Sequence, residues 1–452
     1  MDTAQNINTP SLSIPLNLTV DEKRKNAIKG AIFSEFIDMF DIYLPVVVMA
    51  PVMFYFQPKG LSPATEAILA SLVFITTLLG RPVGALLFGI IADRIGRRKA
   101  SIYSVGGFGV VTLLIGLLPG FESIGLASYL LLVLLRFIDG IFLGGGYTGA
   151  IPLALEYSRK EHRGFVGGLI LSSFPAAYVA INMMAMLMFA LFPLNGPGSP
   201  YAVWGWRIPF LIGALLAGLL TLYYIHKVSE SEIWETEVKQ ESVDNTTKMP
   251  LMDLLRGRSG LALLQVLLMM SGFWITQNMI TIFLPTGLLM HTLHLDSFHL
   301  TTTLMIAYAL LIFSYIGSGM LGQRIGRRRF FLIAGPAIAT LGAVILYALM
   351  TVKNLSFPMI ILLVCALSIL VTSPWGVILS YVNERFHTDV RATGFGVGYS
   401  LSVILPSFYA FYINWLSGVV PAGVAPAVLL IIGAIIATIG AGMGPETRDV
   451  DF

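Results

Sequence analysis

Long apolar stretches and short polar ones alternate along the whole chain. Apolar runs fall at 28–56, 66–92, 100–119, 124–152, 164–192 and 205–227, and again at 258–290, 300–322, 330–351, 356–382, 391–417 and 423–443. A helix rises 1.5 Å per residue, so about 20 apolar residues cross a hydrocarbon core of about 30 Å. Each run is long enough. The pattern predicts an all-α membrane protein with twelve transmembrane helices in two pseudo-symmetric six-helix bundles. Its parts are a tail at 1–27, a bundle at 28–227, a polar linker at 228–257, a bundle at 258–443 and a tail at 444–452. The first 27 residues are polar and hold no apolar core like that of a secretory signal, so the first apolar run is expected to remain as a helix. A membrane β-barrel does not fit, because its strands alternate instead of running continuously apolar.

Composition sharpens this picture. Of 452 residues, 56% are hydrophobic and 12% charged, against about 25% charged in soluble domains. A soluble enzyme, a nucleic-acid-binding module and a disordered chain are all disfavoured. The one cysteine, Cys365, sits inside the apolar run MIILLVCALSILV, so neither an intrachain disulfide nor a cysteine metal site is expected. His291, His294 and His299 read as an exposed polar loop, and no metal site is expected.

Basic residues set the orientation. Of the 28 Lys and Arg, 23 fall in the tails, the linker and alternate loops, and three (Lys59, Arg207 and Lys353) lie on the opposite side. Lys and Arg accumulate on the cytoplasmic side, which places both termini inside and the chain in the plasma membrane. The remaining two, Arg81 and Arg136, fall within apolar runs.

The halves also repeat. GIIADRIGRRK at 89–99 returns as GMLGQRIGRRR at 319–329, and EYSRKEHR at 156–163 returns as ERFHTDVR at 384–391. Offsets of 230 and 228 indicate duplicated halves related by an axis along the membrane normal, which enclose a central cavity and rock for alternating access.

Ionisable residues at membrane depth are functional candidates because they are costly there. Asp38 and Asp41 share one side of helix 1 at i, i+3 spacing. Two close carboxyls in low dielectric do not both ionise cheaply, which suits proton coupling; a structural ion pair is the alternative. Glu35, one turn nearer the cytoplasm, fits either this site or a wetted vestibule. Arg136 is placed to grip a substrate carboxylate through two parallel hydrogen bonds, or to pair with Asp38 or Asp41, or to alternate between them. A permanent pair with Asp139 is the structural reading, and Asp139 is itself a substrate-site candidate. Arg81 reads as a structural partner for an acid of helix 1 or helix 4. In the second half, Gln277, Asn278 and Trp375, with Trp274, Tyr308, Tyr315 and Tyr399, are placed to line the cavity, and no Lys, Arg, Asp or Glu lies deep in helices 7 to 12.

The run Gly89-x-x-x-Asp93-Arg94-x-Gly96-Arg97-Arg98 resembles the signature loop of the major facilitator superfamily. Arg81-Pro82-x-Gly84, WGWRIPF at 204–210 and Arg391-Ala-Thr-Gly394 resemble its metabolite:proton symporter family, and Pro445-Glu446-Thr447 resembles the wider superfamily. Asp38-x-x-Asp41-x-Tyr43 is similar to helix 1 of aromatic-acid:proton symporters, which adds Tyr43 to the substrate site. Helix 4 departs: the family's Arg-x-x-Gln-Gly then Gly-Gly-Glu is here Arg136-Phe-Ile-Asp139-Gly140 then Gly144-Gly145-Gly146.

The resemblance implies the major facilitator fold and proton-coupled symport of a small organic acid or similar metabolite, with Asp38 and Asp41 coupling the proton. Gating falls to Gly89, Asp93, Arg94, Gly96, Arg97 and Arg98, with Glu156, Arg163, Glu384 and Arg391 as further pairs. Gln323 stands where Asp93 would repeat, so the second loop is expected to lack a charged latch. No enzymatic site and no cofactor is expected beyond protons as coupling ion. The expected partners are a small carboxylate substrate and the lipid bilayer, with no nucleic acid and a monomeric working unit. Proton antiport for export and solute sensing without transport are the alternatives.

Overall fold

A computed structural model describes residues 18–61, 63–196, 198–236, 252, 254–421 and 423–451. Among them are twelve helices long and apolar enough to cross a membrane. The first six are α1 (Val20–Tyr55), α2 (Leu72–Ile95), α3 (Arg97–Gly116), α4 (Ala127–Glu156), α5 (Lys160–Leu191) and α6 (Tyr201–Lys227). The second six are α7 (Gly257–Thr292), α8 (Phe298–Ile325), α9 (Arg327–Thr351), α10 (Phe357–Glu384), α11 (Thr388–Leu416) and α12 (Ala425–Met443).

Helix ends differ from the apolar runs where polar side chains extend them. The α1 helix begins at Val20, inside the segment expected to be a tail, because Thr19 and Glu22 form a capping box. The Glu22 carboxylate accepts from the Thr19 N–H at 2.8 Å, and Thr19 Oγ1 accepts from the Glu22 N–H at 3.3 Å. Residues 1–17 lie outside the described residues, as does most of the linker. The expected C-terminal tail is not loose either: Thr447 Oγ1 donates to Glu384 at 2.8 Å and the Val450 carbonyl accepts from Arg163 at 2.6 Å.

Within the first half α4 packs on α2 and α3, and α3 on α6; within the second, α12 packs on α7 and α9. Glycine lets α2 and α4 touch backbone to backbone, since a Cβ on Gly84 would stand 1.8 Å from the Ile141 carbonyl. The two halves meet along two seams, α2 with α11 and α5 with α8. Replacing each helix of one seam by its equivalent in the other half (α2 by α8, α11 by α5) gives the other seam, as a pseudo-two-fold axis demands. Gly164 and Gly319 bring α5 and α8 equally close.

The equivalent helices α1 and α7 both lose regular α geometry away from the Arg-rich loops. α1 passes into a π segment at Pro45–Met49, and α7 into one at Met279–Thr292 that contains Pro285. Interrupted helices in corresponding positions point to the binding region between the halves.

Candidate functional site

Four acids and two arginines sit at membrane depth in the first half and are almost fully enclosed: Glu35 is 3% exposed, Arg81 6%, Asp38 and Asp41 1% each, and Arg136 and Asp139 0%. Helix spacing puts Glu35, Asp38 and Asp41 on successive turns of one side of α1. Asp38 meets Arg81 of α2 at 3.0 Å. Asp41 meets Arg136 of α4 at 3.0 Å and accepts from Thr112 of α3 at 2.7 Å. Arg136 reaches Asp139, one turn along its own helix, at 2.7 Å through the same Nη1, and the Asp139 carboxyl also adjoins that of Asp41.

Arg136 therefore joins both readings raised by the sequence, since it pairs with α1 and with Asp139 together. Among the described residues, its Nε and Nη2 are buried and have no hydrogen-bond partner. Those two nitrogens form one edge of the guanidinium fork, the shape that matches a carboxylate. Asp38 Oδ1 and Glu35 Oε1 are likewise buried and unpartnered. Glu35 thus belongs to the enclosed cluster, and the wetted-vestibule alternative does not describe it.

Aromatic rings continue this site across the boundary between halves. The Arg81 guanidinium lies 4.9 Å over the Tyr147 ring, and Tyr147 hydrogen-bonds Ser400 of α11. Tyr147 also packs 5.3 Å from Tyr399, which contacts Trp274 and Trp375. On the other seam Tyr43 packs edge-on to Tyr178 at 5.2 Å, and Tyr178 stacks on Tyr308 of α8 at 4.0 Å. The Tyr308 hydroxyl and the Trp375 Nε1 are buried without partners. Gln277 lies beside Tyr315. Asn278 plays a different part from the one expected: its Nδ2 donates to the Pro406 carbonyl at 3.0 Å, tying α7 to a 3-10 segment, Leu405–Phe408, within α11.

At the Arg-rich end both seams are latched. The Asp93 carboxylate accepts from the Ala392 and Thr393 N–H groups at 3.2 and 2.9 Å and from Thr393 Oγ1 at 2.6 Å, capping the first turn of α11. Gly89 allows this approach, since a Cβ there would stand 2.7 Å from the Thr393 Cα. Arg97 donates to the Thr388 carbonyl at 2.8 Å and lies 3.4 Å from Glu156, which meets Arg391 at 2.9 Å. In the second copy Glu384 binds Arg327 at 2.5 Å and lies 3.9 Å from Arg163. Gln323 Oε1 accepts from the Gly164 N–H at 3.0 Å. The second loop thus keeps a latch without charge.

Two arginines of the expected gating set do not bridge the halves, nor does Gly96. Arg98 donates to the Tyr224 and Ile225 carbonyls at the end of α6 within its own half, at 3.2 and 2.7 Å. Arg94 is exposed, and among the described residues it forms no ion pair. The physical reason is the turn between α2 and α3: it folds the Arg97 guanidinium back to 3.5 Å from Asp93, whereas Arg94 stays on the exposed end of α2. Gly96 serves geometry, since its φ of 110° turns the chain between α2 and α3.

The Major Facilitator Superfamily model matches residues 31–410. The chain belongs to this superfamily. It is 26% identical over 435 residues to the proline/betaine transporter of Escherichia coli (strain K12), covering 95% of this chain and 85% of that one. It is 30% identical over 352 residues to a putative proline/betaine transporter of Staphylococcus haemolyticus (strain JCSC1435), covering 78% and 72%. It is 29% identical over 406 residues to the inner membrane metabolite transport protein YhjE of Escherichia coli (strain K12), covering 87% and 88%. Among solved structures, the fold resembles the proton:xylose symporter XylE bound to 6-bromo-6-deoxy-D-glucose, with TM-score 0.76, 16% identity, and 95% and 97% of the two chains covered.

Within this Major Facilitator Superfamily fold, one repeated element escaped the sequence reading. Glu230 accepts from the Arg98 N–H at 3.1 Å and caps α3; Glu446 accepts from the Arg327 and Arg328 N–H groups at 2.8 and 3.1 Å and caps α9. The next residues match as well, because Ser231 hydrogen-bonds Glu156 as Thr447 does Glu384. Glu230 lay within the stretch read as a polar linker. The signal was present: Ser229-Glu230-Ser231 and Pro445-Glu446-Thr447 follow α6 and α12 at the same distance.

Proposed function

We propose that this chain is a proton-coupled symporter that imports a small carboxylate-bearing solute across the cell membrane by alternating access, with its Arg-rich face and both termini in the cytoplasm. The observation that carries the reading is the Asp41–Arg136–Asp139 cluster, in which a buried guanidinium is held by acids through one nitrogen while its other edge is free. Orientation rests on the excess of Lys and Arg on that face.

The cycle follows from charge balance. While Asp41 is ionised it holds Arg136 toward α1. With Asp139 already carrying a proton, one arriving from outside neutralises Asp41 and weakens that pair, leaving Arg136 short of negative charge in a low-dielectric site. A substrate carboxylate supplies it through the Nε–Nη2 edge. Tyr308 and Trp375 offer further donors from the second half, so a solute touching both halves favours their closure over it. The latches at Asp93 and Gln323 then part on the cytoplasmic side, and substrate and proton leave. Protons serve as the coupling ion, no other cofactor takes part, and one chain suffices because the cluster and latches lie within it. Nothing in the cycle is a covalent step, so the protein transports and does not catalyse.

Uptake into reconstituted vesicles, with and without an imposed pH gradient, tests the reading with glycine betaine, L-proline and a panel of small organic acids as probes. Gradient-driven accumulation is expected. Gradient-driven efflux points to export, and binding without flux to sensing. Asp41→Asn is expected to keep facilitated exchange and lose accumulation; concentration of solute by that variant overturns the assignment of Asp41.

A further inference from the structure

Enclosed carboxyls outnumber the arginines that neutralise them. Among the described residues, the membrane-depth cluster holds Glu35, Asp38, Asp41 and Asp139 against Arg81 and Arg136. Fully ionised it would carry two uncompensated negative charges, and an unpaired buried ion is strongly unfavourable. The pairing shows where the excess lies. Arg81 holds Asp38 at 3.0 Å, so that pair balances. Arg136 faces two aspartates, so one proton resides between Asp41 and Asp139. Glu35 has no guanidinium within ion-pair distance, and its Oε1 has no hydrogen-bond partner of any kind.

We propose that Glu35 is a second proton-binding site of the transporter, separate from the one shared by Asp41 and Asp139. The inference rests on the symport reading above and adds a second coupled ion to it. Its surroundings fit a neutral acid. The charged groups acting on Glu35 are Asp38 on α1 itself and Arg81 on α2, and the Tyr399 hydroxyl of α11 is also near it; Arg136 and Asp139 of α4 are engaged with Asp41 one to two turns away. The one cation acting on it, Arg81, is already held by Asp38. Glu35 also lies toward the latched face, one turn beyond Asp38. Rocking that opens the Asp93 and Gln323 latches brings water to Glu35 before it reaches Asp41, and water makes ionisation cheap again. Glu35 then loses its proton to the face that opens, which is the behaviour of a coupling site. With two protons per solute, a tenfold proton gradient supports roughly hundredfold accumulation of a neutral solute in place of tenfold.

Infrared difference spectroscopy of the purified full chain in lipid vesicles, titrated with pH and with no solute present, reads this directly through the stretching bands of protonated carboxyls. Two such bands are expected. Glu35→Gln should remove one and leave the other with an unchanged titration midpoint. Asp139→Asn should remove the other. Glu35→Asp, which keeps a carboxyl, should shift the first band without abolishing it, so the site is tested even if the glutamine variant folds poorly. Persistence of both bands in Glu35→Gln, or a single band that only Asp139→Asn removes, overturns the Glu35 site and leaves the aspartate site standing. Absence of any protonated-carboxyl band in the wild-type chain overturns both, together with proton coupling at this cluster.

Discussion

The Asp93 carboxylate and the Thr393 side chain, 300 residues apart in sequence, share a 2.6 Å hydrogen bond that joins α2 to the first turn of α11 across the boundary between halves. At the equivalent place on the other seam, the amide oxygen of Gln323 accepts from the Gly164 N–H at the first turn of α5. Each latch caps a helix N-terminus, where four backbone N–H groups lack intrahelical partners. One uses charge and the other does not. The Asp93 carboxylate gains from the helix dipole and from Arg97 at 3.5 Å, whereas the Gln323 amide oxygen, which also accepts from Arg327 Nη1 at 3.0 Å, brings no charge to set against the dipole.

Asp93→Asn should therefore open the Arg-rich face more often while leaving the fold intact. Losing charge-assisted bonds is worth about 1.5–3 kcal/mol, which shifts a two-state equilibrium roughly 10- to 150-fold. Distances between spin labels on the ends of α2 and α11 should lengthen in the variant. The converse change, Gln323→Glu, adds a carboxylate beside Arg327 and should hold the α5–α8 seam closed and slow exchange. Unchanged label distances in Asp93→Asn would show that the latch does not govern opening.

Gly89→Ala tests the same seam by volume instead of charge. The new Cβ would stand 2.7 Å from the Thr393 Cα, a contact that backbone cannot relieve without separation of the two helices. The variant should match Asp93→Asn in direction, and the two together should add less than their sum because they act on one contact. A double variant that shifts the label distances by the full sum argues for independent effects.

The spans and the duplication were legible because both rest on periodic or repeated residues: a bilayer demands continuous apolar runs, and equal offsets expose a repeat. The positions of Asp38, Asp41, Arg81 and Arg136 at membrane depth followed from the same runs. Their pairing did not. Which acid meets which arginine depends on helix rotation, and i, i+3 spacing leaves Arg81 and Arg136 equally open to Asp38 and Asp41. The caps at Glu230 and Glu446 were obscured for another reason: short polar segments look alike in composition whether they cap a helix or trail from it. Arg94 and Arg98 were over-read because a dense basic motif gives no hint of which side chains face the seam.

Glu230 lies outside the membrane-spanning helices, and burial raises its carboxyl above the ordinary glutamate value, with the Arg98 and Ser231 N–H groups opposing that shift. A raised folded-state value means the native protein binds the proton more tightly than the unfolded chain does. The associated stability is full below the unfolded value, 4.5 in the glutamate reference, and is lost as pH rises through the folded one. Glu230→Gln removes this dependence and keeps one acceptor for the Arg98 N–H. The stability of wild type relative to Glu230→Gln should fall as pH rises above about 4.5. Melting temperatures of both proteins across that range check it; a gap that is constant, or that widens in favour of wild type, contradicts the burial argument.

Arg136→Lys separates the structural from the substrate role of that residue. Arg136 touches Asp41 and Asp139 through Nη1 alone, so a lysine ammonium placed there can keep both ion pairs. It cannot reproduce the Nε–Nη2 edge, because an ammonium is a point charge and not a fork. The variant should keep its melting temperature in the absence of solute and lose affinity for a carboxylate. One charged hydrogen bond is worth about 1.5–3 kcal/mol, so the loss should be roughly 10- to 150-fold. Arg81→Lys should behave in the opposite way, since Arg81 is committed to Asp38 and to the Tyr147 ring: stability should fall and affinity for the remaining folded protein should change little. Thermal-shift titrations with the organic-acid panel read both quantities in one experiment. Equal loss of affinity in the two variants would place the substrate carboxylate elsewhere in the chamber.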